Sequence, residues 1–157
     1  MNQLIVRILI LSFWVVAILP QDLPVLKDLQ GQNMDIFKDN PSRLIVVNFW
    51  AVWCKPCVQE FPELNQLYLN LKSRGVSVVG VSISPSKEAI LNFLEKHKVD
   101  FSICIDEHEE FADKFKVSVL PTTLLMDTKY NVLYKYQGFS RKEIVHLEKI
   151  IEEYLKK

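Results

Sequence analysis

Two cysteines separated by two residues, where a strand-like run meets a helical run, constrain this chain more than any other feature. Residues 44–49 are β-branched and nearly all apolar, which is typical of a central strand covered on both faces. The apolar spacing over residues 58–73 predicts an amphipathic helix. Cys54 would then begin this helix, where unpaired backbone N–H groups and the helix dipole favour a thiolate. The sequence therefore predicts a dithiol site, with Cys54 as the attacking thiol and Cys57 as the resolving thiol.

The residues between and around the two cysteines fit this interpretation better than its alternatives. Pro56 suits a first helical turn, and the charge of Lys55 favours a thiolate beside it. A zinc site would need two more ligands, but neither Cys104 nor the three histidines form a second paired motif. A purely structural disulfide is also possible, although so short a loop gains little from closure. Cys104 lies in the apolar run 101–105, which predicts a buried cysteine behaving as a small hydrophobic residue.

Composition limits the class of protein. The chain has 157 residues, of which 49% are hydrophobic, so one domain with a substantial core is expected. Its formal net charge is zero, and no basic field favours nucleic acid. Three cysteines are too few for a scaffold stapled by disulfides.

Residues 1–22 are predicted to be a targeting or anchoring segment, with the folded domain spanning residues 23–157. Arg7 supplies a positive start, and residues 8–19 are apolar apart from Ser12. This core is shorter than the roughly twenty residues of a comfortable membrane span, but counting residues 4–19, with Arg7 reaching the head groups, lengthens it. We favour an uncleaved membrane anchor over a cleaved signal peptide. Either one would place the domain outside the cytoplasm, against an oxidising background.

The remaining pattern alternates strands and helices and then ends in a hairpin and a helix. This order predicts an α/β fold with a mixed central sheet and helices on both faces. The expected strands are residues 24–26 and 34–37 (an N-terminal hairpin), 76–82, 101–105, 123–126 and 132–136. The expected helices begin at Ser84-Pro85, at a capping box of Asp106 and Glu109 and running to residue 115, and at a capping box of Ser140 and Glu143.

Two motifs resemble thioredoxin-like proteins of the TlpA/ResA type. The first is Asn48-Phe49-Trp50-Ala51-Val52-Trp53-Cys54-Lys55-Pro56-Cys57, followed by Glu60-Phe61-Pro62, and the second is Val117-Ser118-Val119-Leu120-Pro121-Thr122-Thr123. The resemblance runs from about residue 23 to the end. It implies a thioredoxin-like fold, in which residues 84–105 are the helix–strand insertion of this family.

The resemblance also implies roles for individual residues. In the family, the peptide bond before the proline matched by Pro121 is cis, and it lies with the residue matched by Leu120 beside the cysteines, where substrate backbone docks. Trp53 would shield one side of the pair. Glu60 matches a glutamate that in the family takes part in tuning the cysteine pair. Asn48 occupies the position at which thioredoxins carry a buried acid, and unlike that acid it cannot titrate. From the residues alone, an ordinary trans loop proline and a surface glutamate remain open alternatives.

The activity implied by the resemblance is thiol–disulfide exchange without a metal or other cofactor, in a bacterial cell envelope on the extracytoplasmic side. The expected partners are disulfide-containing exported proteins, such as apocytochrome c or copper-site proteins, and a membrane protein that donates electrons. The alternative functions for the same domain are those of an oxidant or isomerase and of a non-enzymatic copper chaperone. A peroxidase of the peroxiredoxin kind is disfavoured, because the residues before Cys54 lack the Pro-x-x-x-Thr-x-x-Cys context.

Overall fold

A computed structural model describes residues 23–156 of the chain. The predicted anchor at residues 4–19 lies outside the described residues, and so does the predicted boundary at residue 22. Within the described part, no helix is both long enough and apolar enough to cross a membrane.

A seven-stranded mixed sheet organises the described residues. The strands are β1 (Leu26–Asp28), β2 (Asn33–Met34), β3 (Leu44–Trp50), β4 (Val76–Ser82), β5 (Ser102–Ile105), β6 (Thr122–Asp127) and β7 (Val132–Gln137). The helices are α1 (Lys55–Leu71), α2 (Lys87–Lys96), α3 (Glu110–Lys114) and α4 (Arg141–Leu155), with a 3-10 turn at Lys72–Arg74. The strand order is β2-β1-β5-β4-β3-β6-β7, in which β3, β4 and β5 are parallel and every other neighbouring pair is antiparallel.

Strand β3 is the central element, and all seven of its residues are buried. Its side chains alternate between two hydrophobic clusters, as a pleated strand requires. Val46 and Trp50 pack in the cluster that includes the buried faces of α1 and α4, while Val47 and Phe49 pack in the cluster that includes α3. The predicted mixed sheet with helices on both faces is therefore confirmed.

The N-terminal hairpin is present, but the predicted bounds of its strands were wrong. Strand β1 continues to Asp28, two residues beyond the predicted end. The turn that follows is closed by the Asp28 carboxylate, which accepts hydrogen bonds from the backbone N–H groups of Gln30 and Gln32, both at 2.8 Å. Gly31, between them, adopts a positive φ of 87°, which glycine tolerates. Strand β1 also pairs with β5, so the hairpin extends the main sheet.

The predicted start of α2 at Ser84-Pro85 was wrong by two residues. Ser86 caps the helix, its hydroxyl accepting from the N–H of Ala89 at 3.2 Å. The hydroxyl of Ser84 is buried and instead accepts from the N–H of Val52 at 3.0 Å. A tertiary contact thus takes the side chain that the local pattern assigned to the cap.

In each of the two predicted capping boxes, only the first residue caps its helix through its side chain. Glu109 precedes α3 with a φ of 58° and makes no side-chain cap, while the Asp106 carboxylate accepts from the N–H groups of Phe111 and Ala112. Ser140 caps α4 as predicted, accepting from the N–H of Lys142. The carboxylate of Glu143, however, accepts from the hydroxyl of Tyr134 at 2.5 Å, a side chain that the local pattern does not include.

Candidate active site

The cysteine pair lies between the end of β3 and the start of α1. A turn closed by the Cys54 N–H and the Ala51 carbonyl, 3.0 Å apart, brings Cys54 to the N-cap of α1. Its sulfur accepts a hydrogen bond from the N–H of Cys57 at 3.3 Å and is joined to the Cys57 sulfur by a disulfide of 2.02 Å. Cys54 is 7% exposed and Cys57 is fully buried, so of the two cysteines only Cys54 retains any exposed surface.

Exposed side chains surround Cys54. Trp53 is 60% exposed, and Lys55 and Pro56 are exposed on the first turn of α1. Lys55 was predicted to favour the thiolate by its charge, and Pro56 was predicted to fit the first helical turn. Their positions agree with those ideas, and the redox effects remain predictions.

The Leu120–Pro121 peptide bond is cis, which the family resemblance implied. The next residue, Thr122, begins β6 and pairs with Phe49 near the end of β3, so this bond lies at the same edge of the sheet as the cysteines. The Pro121 carbonyl accepts a hydrogen bond from the N–H of Gly138 at 2.7 Å, which links this segment to the residues that follow β7. Leu120 is partly buried and Pro121 is buried.

Glu60 is completely buried in α1, so the alternative of a surface glutamate is wrong. Its Oε2 accepts from the amide Nδ2 of Asn48 at 2.8 Å. Its Oε1 accepts from the hydroxyls of Thr123 at 3.1 Å and Tyr136 at 2.7 Å. Three neutral donors therefore surround the carboxylate, and no ion pair to it is found among residues 23–156.

Burial and hydrogen bonding act in opposite directions on Glu60. Loss of water raises the pKa of this carboxyl above its usual value, and the donors Tyr136, Asn48 and Thr123 offset part of that increase. Burial, and then the charge of Glu60, raise the pKa of the Tyr136 phenol, so this hydroxyl stays protonated and able to donate. The acid is thus moved towards the neutral range, where a group that exchanges protons is useful.

Asn48 is a hydrogen-bond donor to Glu60, and its role beneath the cysteines stays a prediction from the resemblance. Its amide also donates to Thr123 at 2.9 Å. Its Oδ1 is buried and has no hydrogen-bond donor among the described residues. The acidic group at this site is consequently supplied by α1 through Glu60, while the strand supplies a neutral partner.

The sequence reasoning missed Thr123 and Tyr136. It also treated Glu60 as separate from the apolar stripe of α1, although the spacing of Cys57, Glu60 and Leu64 places all three on one helix face. That spacing is the signal that predicts burial of Glu60. Nothing local marks Thr123 or Tyr136, because they reach Glu60 only through strand pairing.

Cys104 is buried on β5, and β4 separates it from the strand that leads to the pair. Its thiol lies 3.8 Å from the Gly80 carbonyl, and burial raises its pKa, so the predicted burial is confirmed. Among residues 23–156, no group of three or more His, Cys, Asp or Glu side chains is arranged to hold a metal ion.

A strand–disulfide–helix junction with a cis-proline segment at the same sheet edge defines the class of thioredoxin-fold proteins with a redox-active cysteine pair. The sequence profile of the AhpC/TSA family matches residues 22–135. The chain therefore belongs to the AhpC/TSA family.

Two similar proteins specify which kind of member of this family the chain is. Thiol-disulfide oxidoreductase ResA of Bacillus subtilis (strain 168) is 34% identical over 122 residues, covering 78% of this chain and 68% of that protein. The protein of the same name from Geobacillus kaustophilus (strain HTA426) is 35% identical over 128 residues, covering 80% and 73%. With the Cys54–Cys57 pair in place, these relatives identify the chain as a thioredoxin-like thiol–disulfide oxidoreductase.

Solved structures support the fold. A protein from Chlorobium tepidum, assigned as a thiol:disulfide interchange protein DsbE, superposes with a TM-score of 0.76 at 28% identity, covering 84% of this chain and 92% of that one. StoA from Bacillus subtilis superposes with a TM-score of 0.68 at 22% identity, covering 83% and 96%.

Proposed function

We propose that this oxidoreductase works as a reductant, transferring two electrons from its dithiol to disulfides of exported proteins. Cys54 is the attacking thiol and Cys57 the resolving thiol. The observation that carries this assignment is the difference in burial of the two cysteines: Cys54, on the helix N-cap, is 7% exposed, whereas Cys57 is fully buried. A substrate sulfur reaches Cys54 far more easily than Cys57.

The reaction proceeds by two exchanges. The Cys54 thiolate attacks one sulfur of a substrate disulfide, which forms a mixed disulfide and releases the other substrate sulfur as a thiolate. The Cys57 thiol then loses its proton and attacks the Cys54 sulfur. This step releases the second substrate thiolate and leaves the Cys54–Cys57 disulfide, so the substrate is reduced and the dithiol is oxidised.

Glu60 is the group that manages the proton of Cys57. The two residues are three positions apart in α1, which places their side chains on the same face as neighbours. The carboxylate raises the pKa of a neighbouring thiol by like-charge repulsion, and when that thiol must react it accepts the proton. Its buried setting among neutral donors supports this role, because no cation there competes for the carboxylate.

Trp53, Leu120 and Pro121 are the proposed docking residues for the substrate chain. Trp53 offers a large exposed apolar surface directly before Cys54. Leu120 and Pro121 lie at the same edge of the sheet as the cysteine pair. Together these features favour an extended, partly apolar peptide segment as the substrate.

The place of action and the partners follow from the sequence pattern and the family. We infer a bacterial cell-envelope protein, anchored in the inner membrane by residues 4–19, with its domain on the extracytoplasmic side. Its substrates would be apocytochrome c or copper-site proteins, and a membrane electron donor would restore the dithiol. The apolar N-terminal run and the ResA relatives support this proposal.

Trapping of mixed disulfides tests the assigned roles of the cysteines. The Cys57→Ser variant should accumulate covalent complexes with disulfide-containing proteins, because it can attack but cannot resolve. Cys54→Ser should trap few or none, since its two remaining thiols, Cys57 and Cys104, are both buried. Cys104→Ser, which removes a cysteine outside the pair, is the matched control and should behave as the wild type. Equal trapping by Cys54→Ser and Cys57→Ser would contradict the assignment.

The reduction potential of the Cys54–Cys57 pair decides the direction of the reaction. A reductant should have a value near that of thioredoxin, about −270 mV, measured by equilibration with glutathione or dithiothreitol. A value near that of DsbA, about −120 mV, would make the protein an oxidant and rule out the reduction of apocytochromes.

A further inference from the structure

A row of polar side chains crosses three adjacent strands beneath α1. Asn48 on β3 pairs with Thr123 on β6, and Thr123 pairs with Tyr136 on β7. Residues directly opposite each other in neighbouring strands project from the same face of a sheet. All three end on the Glu60 carboxylate, so each strand supplies one donor.

Tyr136 makes the shortest of these contacts and shares one oxygen with Thr123. Its hydroxyl donates to Oε1 of Glu60 at 2.7 Å, while the Thr123 hydroxyl donates to the same oxygen at 3.1 Å. Tyr136 is only 6% exposed, so water has little access to replace its hydroxyl. Without it, Oε1 would keep only the longer bond from Thr123.

The charged groups around this row come from β7 and α4. Tyr134, two residues before Tyr136, lies on the same strand face with its ring centroid 6.0 Å away. Its hydroxyl donates to the carboxylate of Glu143 at the start of α4. Glu143 therefore adds negative charge near Tyr136, which helps keep the Tyr136 phenol protonated.

The groups on α1 leave Glu60 without a nearby positive charge. Cys57 lies one turn before it and Glu63 nearly one turn after it, and Glu63 is paired at the surface with Arg141 of α4 at 2.9 Å. The partners from β3 and β6 are an amide and a hydroxyl, which do not titrate. Neutral hydrogen bonds are thus what holds a charge at Glu60.

We propose that Tyr136 is a positioning residue for the dithiol chemistry: its hydroxyl holds Oε1 of Glu60 and so keeps an ionised carboxylate in a fixed orientation one turn from Cys57. This inference rests on the proposed role of Glu60 as the acceptor of the Cys57 proton. Tyr136 itself touches neither sulfur nor substrate in this scheme. It acts through Glu60, by favouring the charged form that can take the proton.

The direct test is a pH titration of the Glu60 carboxyl in the oxidised protein, monitored by the carbon-13 NMR signal of its side-chain carboxyl. Tyr136→Phe should raise the titration midpoint by roughly one to two pH units, since the lost bond is one made to a charged group. Tyr134→Phe removes a similar hydroxyl from the same strand face and should leave the Glu60 midpoint where it is. An unchanged midpoint in Tyr136→Phe, or an equal change in Tyr134→Phe, overturns the proposal.

A second substitution keeps the proposal testable if Tyr136→Phe does not fold. Placing 3-fluorotyrosine at position 136 retains the ring and hydroxyl but makes the phenol a stronger donor. The Glu60 midpoint should then fall, and a midpoint that rises or stays unchanged would overturn the proposal.

The rate of the resolving step separates this proposal from the proposed function. If Glu60 accepts the Cys57 proton, the acidic limb of the pH–rate profile for substrate reduction should move upward with the Glu60 midpoint in Tyr136→Phe. In a Glu60→Gln background, Tyr136→Phe should have no further effect on that limb. A midpoint that rises while the limb stays fixed supports the Tyr136–Glu60 link and contradicts the proton-accepting role of Glu60.

Discussion

Replacing Glu60 by glutamine should make the oxidised protein progressively more stable than the wild type as pH rises. The substitution keeps the size and shape of the side chain. The hydroxyls of Thr123 and Tyr136 can still donate to its oxygen, and the amide of Asn48 can rotate so that the otherwise unpartnered Oδ1 accepts from the new NH₂ group. The variant therefore loses the buried charge, and the rotation of Asn48 also breaks its hydrogen bond to Thr123. This second loss does not depend on pH, so it shifts the difference between the two proteins without changing its slope.

The sign follows from the direction of the pKa shift. The unfolded chain releases the Glu60 proton near the ordinary glutamate value of 4.5, whereas burial raises the folded-state pKa above it. Between the two values the folded state holds more of the proton, so the free energy of unfolding of the wild type falls as pH rises. Below this window the two proteins should differ by a constant amount, and above it their difference should again be constant.

The magnitude of the effect is a slope. One proton released on unfolding changes the free energy of unfolding by about 1.4 kcal/mol per pH unit within the window. The free energy of unfolding falls by about 1–3 kcal/mol per molar urea. The difference between the unfolding midpoints of the variant and the wild type should therefore grow by roughly 0.5–1.4 M urea per pH unit, in favour of the variant.

Urea unfolding of both proteins over a series of pH values is the appropriate assay. The disulfide is kept intact so that Cys54 and Cys57 do not titrate. Other groups with shifted pKa values, such as Asp35 and Asp106, are present in both proteins and cancel in the difference. A difference that does not vary with pH would refute the raised pKa of Glu60. A difference that favours the wild type at higher pH would show that the three donors outweigh the effect of burial.

Two further predictions concern packing and reactivity. Gly80→Ala should lower the free energy of unfolding by about 1–3 kcal/mol in urea unfolding, because a Cβ atom would lie 2.7 Å from the Ile103 Cδ1 and 3.1 Å from the Trp50 Nε1; no loss would mean that Ile103 moves aside freely. Cys104 should resist alkylation in the native, reduced protein and react once urea is added, because it is fully buried and burial raises its pKa. Mass spectrometry of the labelled protein checks this, and native labelling of Cys104 at the rate of Cys54 would contradict it.

The local features of this protein could be predicted from its sequence, because their causes are local. The run that forms β3 and the spacing that forms α1 identify the junction at Cys54 without any knowledge of distant contacts. The cis bond before Pro121 needed the family resemblance, since nothing in its neighbours distinguishes it from an ordinary loop proline. The positions of these elements in one mixed sheet follow from their alternation along the chain.

The features that escaped prediction depend on contacts between distant residues. Ser84 and Ser86 are equivalent as local caps, and the choice of Ser86 follows from a bond that Ser84 makes with the backbone of Val52. Tyr136 looks like any aromatic strand residue until the pairing of β7 with β6 places it beside Glu60. Strand register is set by the hydrophobic pattern and the turn geometry of the whole sheet, so no single stretch of the sequence shows which residues will face each other.

The positions of the three Glu60 donors along the sequence also determine when the site can be completed during synthesis of the chain. Asn48 is 12 residues from Glu60, but Thr123 and Tyr136 are 63 and 76 residues from it. A nascent chain that has emerged only as far as β5 thus has both cysteines and the helix that bears them, while two of the three donors have yet to emerge. Such high contact order delays the tuned site until the last strands join the sheet. Controlled thiol chemistry is therefore a property of the finished domain, and a truncated or half-folded copy would carry its cysteines without the environment that governs them.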